Sequence, residues 1–240
     1  MNIKLIEEYI PSHIKELMDD RAKEKMLEFA GEIIEANKEL NLTAIKTEKD
    51  FAEKHIADSL QPAFIKGFEK IKVIADTGSG AGLPGIPLGI VFPDKKITLI
   101  ESNNKKSGFL NKAIKNLNLL NITVITDRAE VISRDPLLND EYDAVIMRAF
   151  APFAMAMEMT CCLVKEKGII MYYCSEKQKQ EMPVSGKKSE ELGIKIKEFV
   201  KYSFSEDFGT RYIAIVEKLW KSKKKYPRQY ANIKKNSLKI

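Results

Sequence analysis

Glycines recur at short spacing in the stretch IKVIADTGSGAGLPG, residues 71–85. Gly78, Gly80 and Gly82 form the loop pattern of S-adenosylmethionine methyltransferases, whereas Gly80, Gly82 and Gly85 form the fingerprint of dinucleotide enzymes. The two ligands differ in charge, because a dinucleotide brings a pyrophosphate to the loop and S-adenosylmethionine brings an ammonium and a sulfonium. The pattern therefore indicates a nucleotide-like ligand and leaves two chemistries open.

One acidic residue beside the loop favours the cationic ligand. Asp76 ends the apolar run before the glycines, where a carboxylate would repel a pyrophosphate and attract a sulfonium. Glu101 follows the next apolar run and is placed to accept hydrogen bonds from both ribose hydroxyls. Both ligands use such an acid, so Glu101 indicates a nucleoside without choosing between them. Ala129 and Glu130, after the third run, stand where an adenine edge is commonly met. Together these residues predict a site for S-adenosylmethionine.

The elements that position these residues follow from periodicity. Five short apolar runs predict strands at 71–76, 96–102, 122–127, 142–149 and 168–174. Helical patterns lie between them at 84–92, 104–118, 128–133 and 152–166. This alternation predicts an α/β fold with a Rossmann-like, doubly wound parallel sheet. Two later runs, 194–204 and 211–219, have period two and predict an antiparallel edge.

The N-terminal part has only helical periodicity. Asp20 is the predicted N-cap of a first long helix, and a second helical run covers about 48–65. We expect a helical extension at 1–69 packed on a methyltransferase domain at 70–219, followed by a basic tail at 220–240.

Composition excludes several classes of chemistry. The only histidines are His13 and His55, so neither a histidine-centred triad nor a two-histidine metal site is well supplied, and we expect no metal. Cys161, Cys162 and Cys174 are too few for a disulfide framework and are interpreted as core thiols. With neither a secretory signal nor a membrane-spanning run, the sequence predicts a cytoplasmic protein.

Basic residues are concentrated at the C-terminal end. Nine of the 40 lysines and arginines, and no acidic residue, lie in 218–240, together with Trp220, Tyr226 and Tyr230. Cations neutralise phosphates and aromatic rings stack on bases, so this segment suits RNA, and a solubilising tail is the alternative.

Arg148 stands in MRAFAP, at the end of the fourth predicted strand. The sequence has no Asn-Pro-Pro-Tyr type of segment there for an exocyclic amine and no cysteine placed for carbon methylation. An acceptor with a free lone pair, such as ring nitrogen 7 of guanine, needs no proton removed before attack. We expect Arg148 to be the catalytic residue that fixes the acceptor base or the cofactor, and a surface ion pair is the alternative.

Seven segments carry a family resemblance: NLTAI (41–45), KHIADSL (54–60), DTGSGAGLPGIPL (76–88), LIES (99–102), RAE (128–130), RAFAP (148–152) and KYPR (225–228). In these segments the chain resembles the bacterial small-subunit ribosomal RNA guanine-7 methyltransferases, also called glucose-inhibited division protein B. The resemblance implies a class I methyltransferase fold and transfer of a methyl group from S-adenosylmethionine to nitrogen 7 of one guanine in 16S ribosomal RNA.

The resemblance also implies site residues. It assigns cofactor contacts to Gly78, Leu83, Ala129, Glu130 and Arg148, and it keeps His55 and Asp58 near the site. His55 is interpreted as a hydrogen-bonded helix residue in preference to a base. One departure is the YYCSEK segment, where family members usually have Leu-Lys-Gly.

Other functions stay open from the residues alone. They are a methyltransferase acting on a small molecule or protein, a nicotinamide-dependent oxidoreductase, and a non-catalytic RNA-binding relative. We expect a monomer that acts on ribosomal RNA, either naked or in an assembling small subunit, without contact to a membrane.

Overall fold

Short helices and one long helix open the chain in the computed structural model, which describes residues 2–182 and 186–235. They are α1 (Ile3–Tyr9), α2 (Ser12–Lys15), α3 (Asp20–Leu40), α4 (Glu48–Phe51), a π-helix (Ala52–Ala57), α5 (Asp58–Leu60) and two 3-10 turns (Gln61–Phe64 and Phe68–Lys70). Asp19, not Asp20, caps α3, because its extended backbone lets Oδ1 accept from the amide of Ala22 at 2.7 Å. The predicted N-cap was wrong by one residue.

A seven-stranded sheet follows in the described residues. Its strands are β1 (Val73–Thr77), β2 (Lys96–Ile100), β3 (Ile122–Ile125), β4 (Tyr142–Met147), β5 (Val164–Ser175), β6 (Ile194–Tyr202) and β7 (Arg211–Lys218). The spatial order is β3-β2-β1-β4-β5-β7-β6, with the first five strands parallel and β7 antiparallel to both neighbours. The predicted parallel sheet with an antiparallel edge is confirmed, and the order reverses between β1 and β4, where ligands bind in such sheets.

Helices connect strands β1 to β6 along the chain and cover both faces of the sheet, and a last helix follows β7. They are α6 (Gly85–Val91), α7 (Asn104–Asn116), α8 (Ala129–Ile132), α9 (Phe153–Thr160), α10 (Glu176–Glu181), α11 (Lys187–Leu192) and α12 (Tyr230–Lys235). Successive strand residues point to opposite faces, so Ile74 and Ile146 pack with the N-terminal helices while Ala75 and Val145 pack with α9. Burial on both faces explains the continuous apolar runs of the sequence.

The C-terminal segment is docked on the sheet domain as far as the structure describes it. Ile233 of α12 is fully buried against Ala129 and Met159, and Tyr226 is 6% exposed. The expectation that Tyr226 offers a free ring is therefore wrong, because tertiary packing covers it. None of the described helices is long and apolar enough to cross a membrane.

The three cysteines are free and buried, as predicted. The division of the chain at residues 69 and 219 stays a prediction.

Candidate active site

The glycine loop leaves the C-terminal end of β1 in a conformation that suits glycine. Gly78, Gly80 and Gly82 have φ values of 72°, 56° and 84°, in the left-handed region. The amide of Gly78 donates to the Ile100 carbonyl at 2.8 Å, which ties the loop to β2. A Cβ at Gly78 would overlap the ring of Phe150. The loop therefore brings bare backbone to the switch point of the sheet.

A cavity of about 400 Å³ lies over this loop. Its wall consists of Leu42, His55, Gly78, Ser79, Gly80, Ala81, Leu83, Glu101, Ser102, Lys106, Arg148, Ala149 and Phe150. The structure thus brings Gly78, Gly80, Leu83, Glu101 and Arg148 of the predicted site to one cavity. Gly82 lies outside that wall, and a Cβ there would meet Ile86 and Leu110.

Glu101 borders this cavity with a carboxylate that is partly engaged. Its Oε2 accepts from the Gly80 amide at 2.9 Å, and its Oε1 accepts from the Asn103 amide at 2.8 Å. A carboxylate offers about four acceptor positions, so Glu101 retains capacity for two further donors. The geometry is compatible with a ribose diol, which presents two hydroxyl donors.

Asp76 lies beneath the loop, outside the wall of the cavity. Its Oδ2 accepts from the Gly85 amide at 3.0 Å, while Oδ1 is buried without a hydrogen-bond partner in the described part of the chain. Burial raises the pKa of Asp76 to about 7. Direct contact of Asp76 with a ligand stays a prediction.

Ala129 and Glu130 begin α8 and are also outside the cavity wall. Both residues are buried, and Glu130 accepts a hydrogen bond from Arg128 Nε at 2.5 Å. The Arg128 guanidinium in turn stacks on the ring of Tyr230, 3.7 Å from its centroid. Their contact with adenine stays a prediction.

A second and larger cavity, of about 910 Å³, lies beyond the end of β4. Five aromatic residues contribute to its wall: Phe150, Phe153, Tyr172, Tyr173 and Tyr202. Arg148, Ala149 and Phe150 belong to the walls of both cavities. Ala149 has a φ of 53°, a conformation that costs a non-glycine residue roughly 1–2 kcal/mol. Backbone strain of this kind clusters at functional sites.

Arg148 is anchored to the N-terminal helices. Its Nη1 donates to Asp58 Oδ2 at 2.8 Å and to the Lys54 carbonyl at 2.8 Å. The side chain is 16% exposed, and its Nε and Nη2 make no hydrogen bond within residues 2–182 and 186–235. A guanidinium with unused donors thus stands between the two cavities.

His55 lies next to this pair. Its Nδ1 donates to the Lys54 carbonyl at 3.1 Å, and its Nε2 lies 2.7 Å from the hydroxyl of Thr43. Burial and the charge of Arg148 lower the pKa of His55 to about 3, so the imidazole stays neutral. These bonds support the interpretation of His55 as a hydrogen-bonded helix residue.

Sequence comparisons agree with this arrangement. A family model described as rRNA small subunit methyltransferase G, GidB, matches residues 22–207. The chain belongs to the GidB family. The ribosomal RNA small subunit methyltransferase G of Staphylococcus aureus (strain bovine RF122 / ET3-1) is 34% identical over 95% of both chains. That of Staphylococcus epidermidis (strain ATCC 35984) is 33% identical over 99% of both. The resemblance inferred from the seven motifs is confirmed.

Solved structures agree on the fold. TYW2 of M. jannaschii, in complex with AdoMet, superposes with a TM-score of 0.51 at 25% identity, over 68% of this chain and 73% of that one. TYW2 of P. horikoshii, in complex with MeSAdo, gives 0.52 at 16% identity over 68% and 61%. The predicted Rossmann-like class I methyltransferase sheet is confirmed. Membership of the GidB family makes the dinucleotide fingerprint at Gly80 to Gly85 a coincidence of overlap.

Several residues of the site carried no signal in the sequence. Phe150 belongs to both cavities, yet it is an apolar residue in an apolar segment. Tyr202 donates to Asp58 from 144 positions further along the chain. Asp58 had only its family motif to mark it, and Tyr173 only its departure from the family pattern.

Proposed function

We propose that the chain transfers a methyl group from S-adenosylmethionine to nitrogen 7 of a guanine in 16S ribosomal RNA. The observation that carries the proposal is the wall of Arg148, Ala149 and Phe150 shared by a cavity over the glycine loop and an aromatic cavity. Two cavities that meet at one wall allow a donor and an acceptor to approach each other. Membership of the GidB family and the names of the relatives give the substrate class.

The residues of the smaller cavity suit S-adenosylmethionine. Gly78, Gly80 and Leu83 would hold its methionine part against the loop, and the spare acceptor positions of Glu101 would take the ribose hydroxyls. Asp76 is buried with one unpartnered oxygen and has a pKa raised to about 7; a cationic ligand above it would favour its ionised form, which would then contribute negative charge. S-adenosylmethionine supplies a methyl group made electrophilic by its sulfonium. Ala129 and Glu130 would meet the adenine, as the family resemblance implies.

The larger cavity suits a nucleobase. The partly exposed ring of Phe150 offers a stacking surface for a base that has left its helix. Phe153 and Tyr172, buried and packed edge-to-face on each other, would form the apolar back of the cavity. The free nitrogens of Arg148 would donate to an acceptor atom of that base and orient it toward the smaller cavity. Because nitrogen 7 of guanine has a free lone pair, this site needs positioning and charge, without a general base.

RNA would contact the positive side chains that stay exposed. Several cations of the C-terminal segment are paired with the protein's own acids: Lys221 with Asp140, Lys223 and Lys225 with Glu191, and Arg228 with Glu158. Lys224, Lys234 and Lys235 are exposed and would meet RNA phosphates. We further propose that the enzyme is cytoplasmic, works as a monomer and uses naked ribosomal RNA or an assembling small subunit.

Transfer of tritium from labelled S-adenosylmethionine tests this function. The acceptors are 16S ribosomal RNA from a strain that lacks the protein, offered naked or in purified small subunits. We expect label in one 7-methylguanosine after digestion to nucleosides. Label in another nucleoside would remove the nitrogen 7 assignment, and no label in either acceptor would remove the ribosomal RNA assignment.

A further inference from the structure

Asp58 collects hydrogen bonds from three separate strand ends. Its Oδ1 accepts from the Tyr202 hydroxyl at 2.6 Å, its Oδ2 accepts from Arg148 Nη1 at 2.8 Å, and its carbonyl accepts from the Tyr173 hydroxyl at 3.0 Å. Arg148 follows β4, Tyr173 lies on β5 and Tyr202 ends β6. Asp58 itself is 7% exposed. All three of its oxygens are therefore committed within the protein.

The Lys54 carbonyl is the second acceptor that holds Arg148. It lies in the π-helix and receives Arg148 Nη1 at 2.8 Å and His55 Nδ1 at 3.1 Å. π-Helical turns are rare and are frequent at functional sites. One nitrogen of the guanidinium is thus fixed by a carboxylate and a carbonyl, and its other nitrogens are left for a ligand.

The two tyrosine hydroxyls restrict how Asp58 can turn. A carboxylate rotates readily about its last torsion, which has broad, roughly twofold preferences. The Tyr202 hydroxyl bonds Oδ1 and so leaves Oδ2 for Arg148, while the Tyr173 hydroxyl holds the backbone of the same residue. Burial, and then the charge of Asp58, raise the pKa of both tyrosines well above the ordinary value, so both stay protonated donors.

We propose that Tyr173 and Tyr202 are positioning residues for Arg148, acting through Asp58. Their hydroxyls fix Asp58, and Asp58 with the Lys54 carbonyl keeps the guanidinium at the wall between the two cavities. This inference rests on the proposed function, because the task of Arg148 there is to orient the acceptor base. A plain structural role would tie the N-terminal helices to the sheet without regard to Arg148.

A double-mutant cycle on the methylation rate separates the two roles. Tyr202→Phe and Tyr173→Phe remove only the hydroxyls, and each is made in the wild-type and in the Arg148→Ala background. We expect each to lower the single-turnover rate about tenfold in the wild type and by less than about twofold beside Arg148→Ala. The Kd for S-adenosylmethionine should change by less than about twofold.

The control is Tyr142→Phe, which removes a buried hydroxyl at the opposite end of β4. We expect it to leave the single-turnover rate unchanged. Equal fold-losses for Tyr202→Phe in both backgrounds, or no loss in the wild type, would overturn the positioning role.

A second cycle keeps the inference testable if the wild type methylates no ribosomal RNA, an outcome that by itself removes only the proposed function. The free energy of unfolding is measured for Tyr202→Phe combined with Arg148→Ala and, as the remote control, with Arg228→Ala. We expect the effects to be non-additive with Arg148→Ala and additive with Arg228→Ala. Additivity with both would overturn the inference.

Discussion

Two arginine–carboxylate pairs attach the two ends of the chain to the sheet domain. They differ in how many guanidinium nitrogens remain without a carboxylate partner. Arg228, in the C-terminal segment, grips Glu158 through Nε at 2.6 Å, Nη2 at 2.7 Å and its own amide at 3.2 Å. Glu158 is fully buried. Arg148, facing the N-terminal helices, meets Asp58 through Nη1 alone and borders both cavities.

The difference in unused donors distinguishes a pair that only attaches a segment from a pair that can also bind a ligand. The Arg228 guanidinium uses two of its nitrogens to bind one buried carboxylate. It is poorly suited to bind a ligand as well, because these donors are occupied and its charge is neutralised. Arg148 keeps unused nitrogens beside open space, which suits an acceptor base. Two pairs of the same chemical type can thus be told apart by their unused donors and by what adjoins them.

Removing the arginine of the C-terminal pair should have the largest effect, and on stability. Arg228→Ala leaves the Glu158 carboxylate in the protein interior without its main partner, which costs about 3–5 kcal/mol. For a chain of this size we expect Tm to fall by roughly 10 °C in a thermal scan. A fall of only one or two degrees would contradict the view that this pair is an attachment.

Removing the arginine of the other pair should act mainly on the rate. We expect Arg148→Ala to lower methyl transfer about 100-fold, since donors aimed at the reacting groups commonly contribute that much. Single-turnover kinetics measures the rate, and calorimetry checks that S-adenosylmethionine still binds. If the folded variant transferred methyl groups at an unchanged rate, Arg148 would serve only to attach the N-terminal helices to the sheet.

Asp76 extends the comparison to a buried carboxylate without an arginine partner. Its folded-state pKa of about 7 exceeds the ordinary value of 3.8, so the folded protein holds a proton that the unfolded chain has lost between about pH 4 and 7. The free energy of unfolding should therefore fall as the pH rises through this window, by up to about 1.4 kcal/mol per pH unit, and level off above it.

Asp76→Asn should remove this slope while keeping an acceptor for the Gly85 amide. Urea unfolding of both proteins at pH 4.5, 5.5 and 6.5 measures the difference. If the free energy of unfolding changed with pH in the same way for both proteins, Asp76 would not titrate between about pH 4 and 7.

Removing an exposed ion pair should have the smallest effect on the free energy of unfolding. Lys197 Nζ lies 2.6 Å from Glu217 Oε1, with half of the lysine side chain in solvent. Lys197→Ala should change the free energy of unfolding by less than about 1 kcal/mol, because solvent screens such pairs. A larger loss in urea unfolding would mean that distance alone, without burial, predicts the strength of a pair in this protein.

The sheet was predictable because burial on both faces leaves apolar runs that need no tertiary information. β5 shows the limit of that signal, since it begins at Val164, four residues before the predicted run. Residues 165–167 are exposed lysines and a glutamate, so the early part of this strand has no apolar pattern to detect.

The candidate site was predictable where its residues follow strand ends. The glycine loop and Glu101 are of this kind, because parallel strands bring their carboxyl ends to one edge of the sheet. Tyr202 and Asp58 meet across 144 positions, and no local pattern encodes that contact. The number of basic residues in the C-terminal segment overstated the positive charge available to RNA, because Glu158 and Glu191 form ion pairs with three of these residues.

The π-helix at Ala52–Ala57 also limits how this region can change in length. A π-helix closes its hydrogen bonds over five residues where an α-helix uses four, so deleting one residue there would change the angle between the preceding residues and Asp58. The Lys54 carbonyl and Asp58 face the same guanidinium only in the present register. We expect single-residue deletions within this turn to be tolerated far less well than substitutions, which makes chain length itself a determinant of the site.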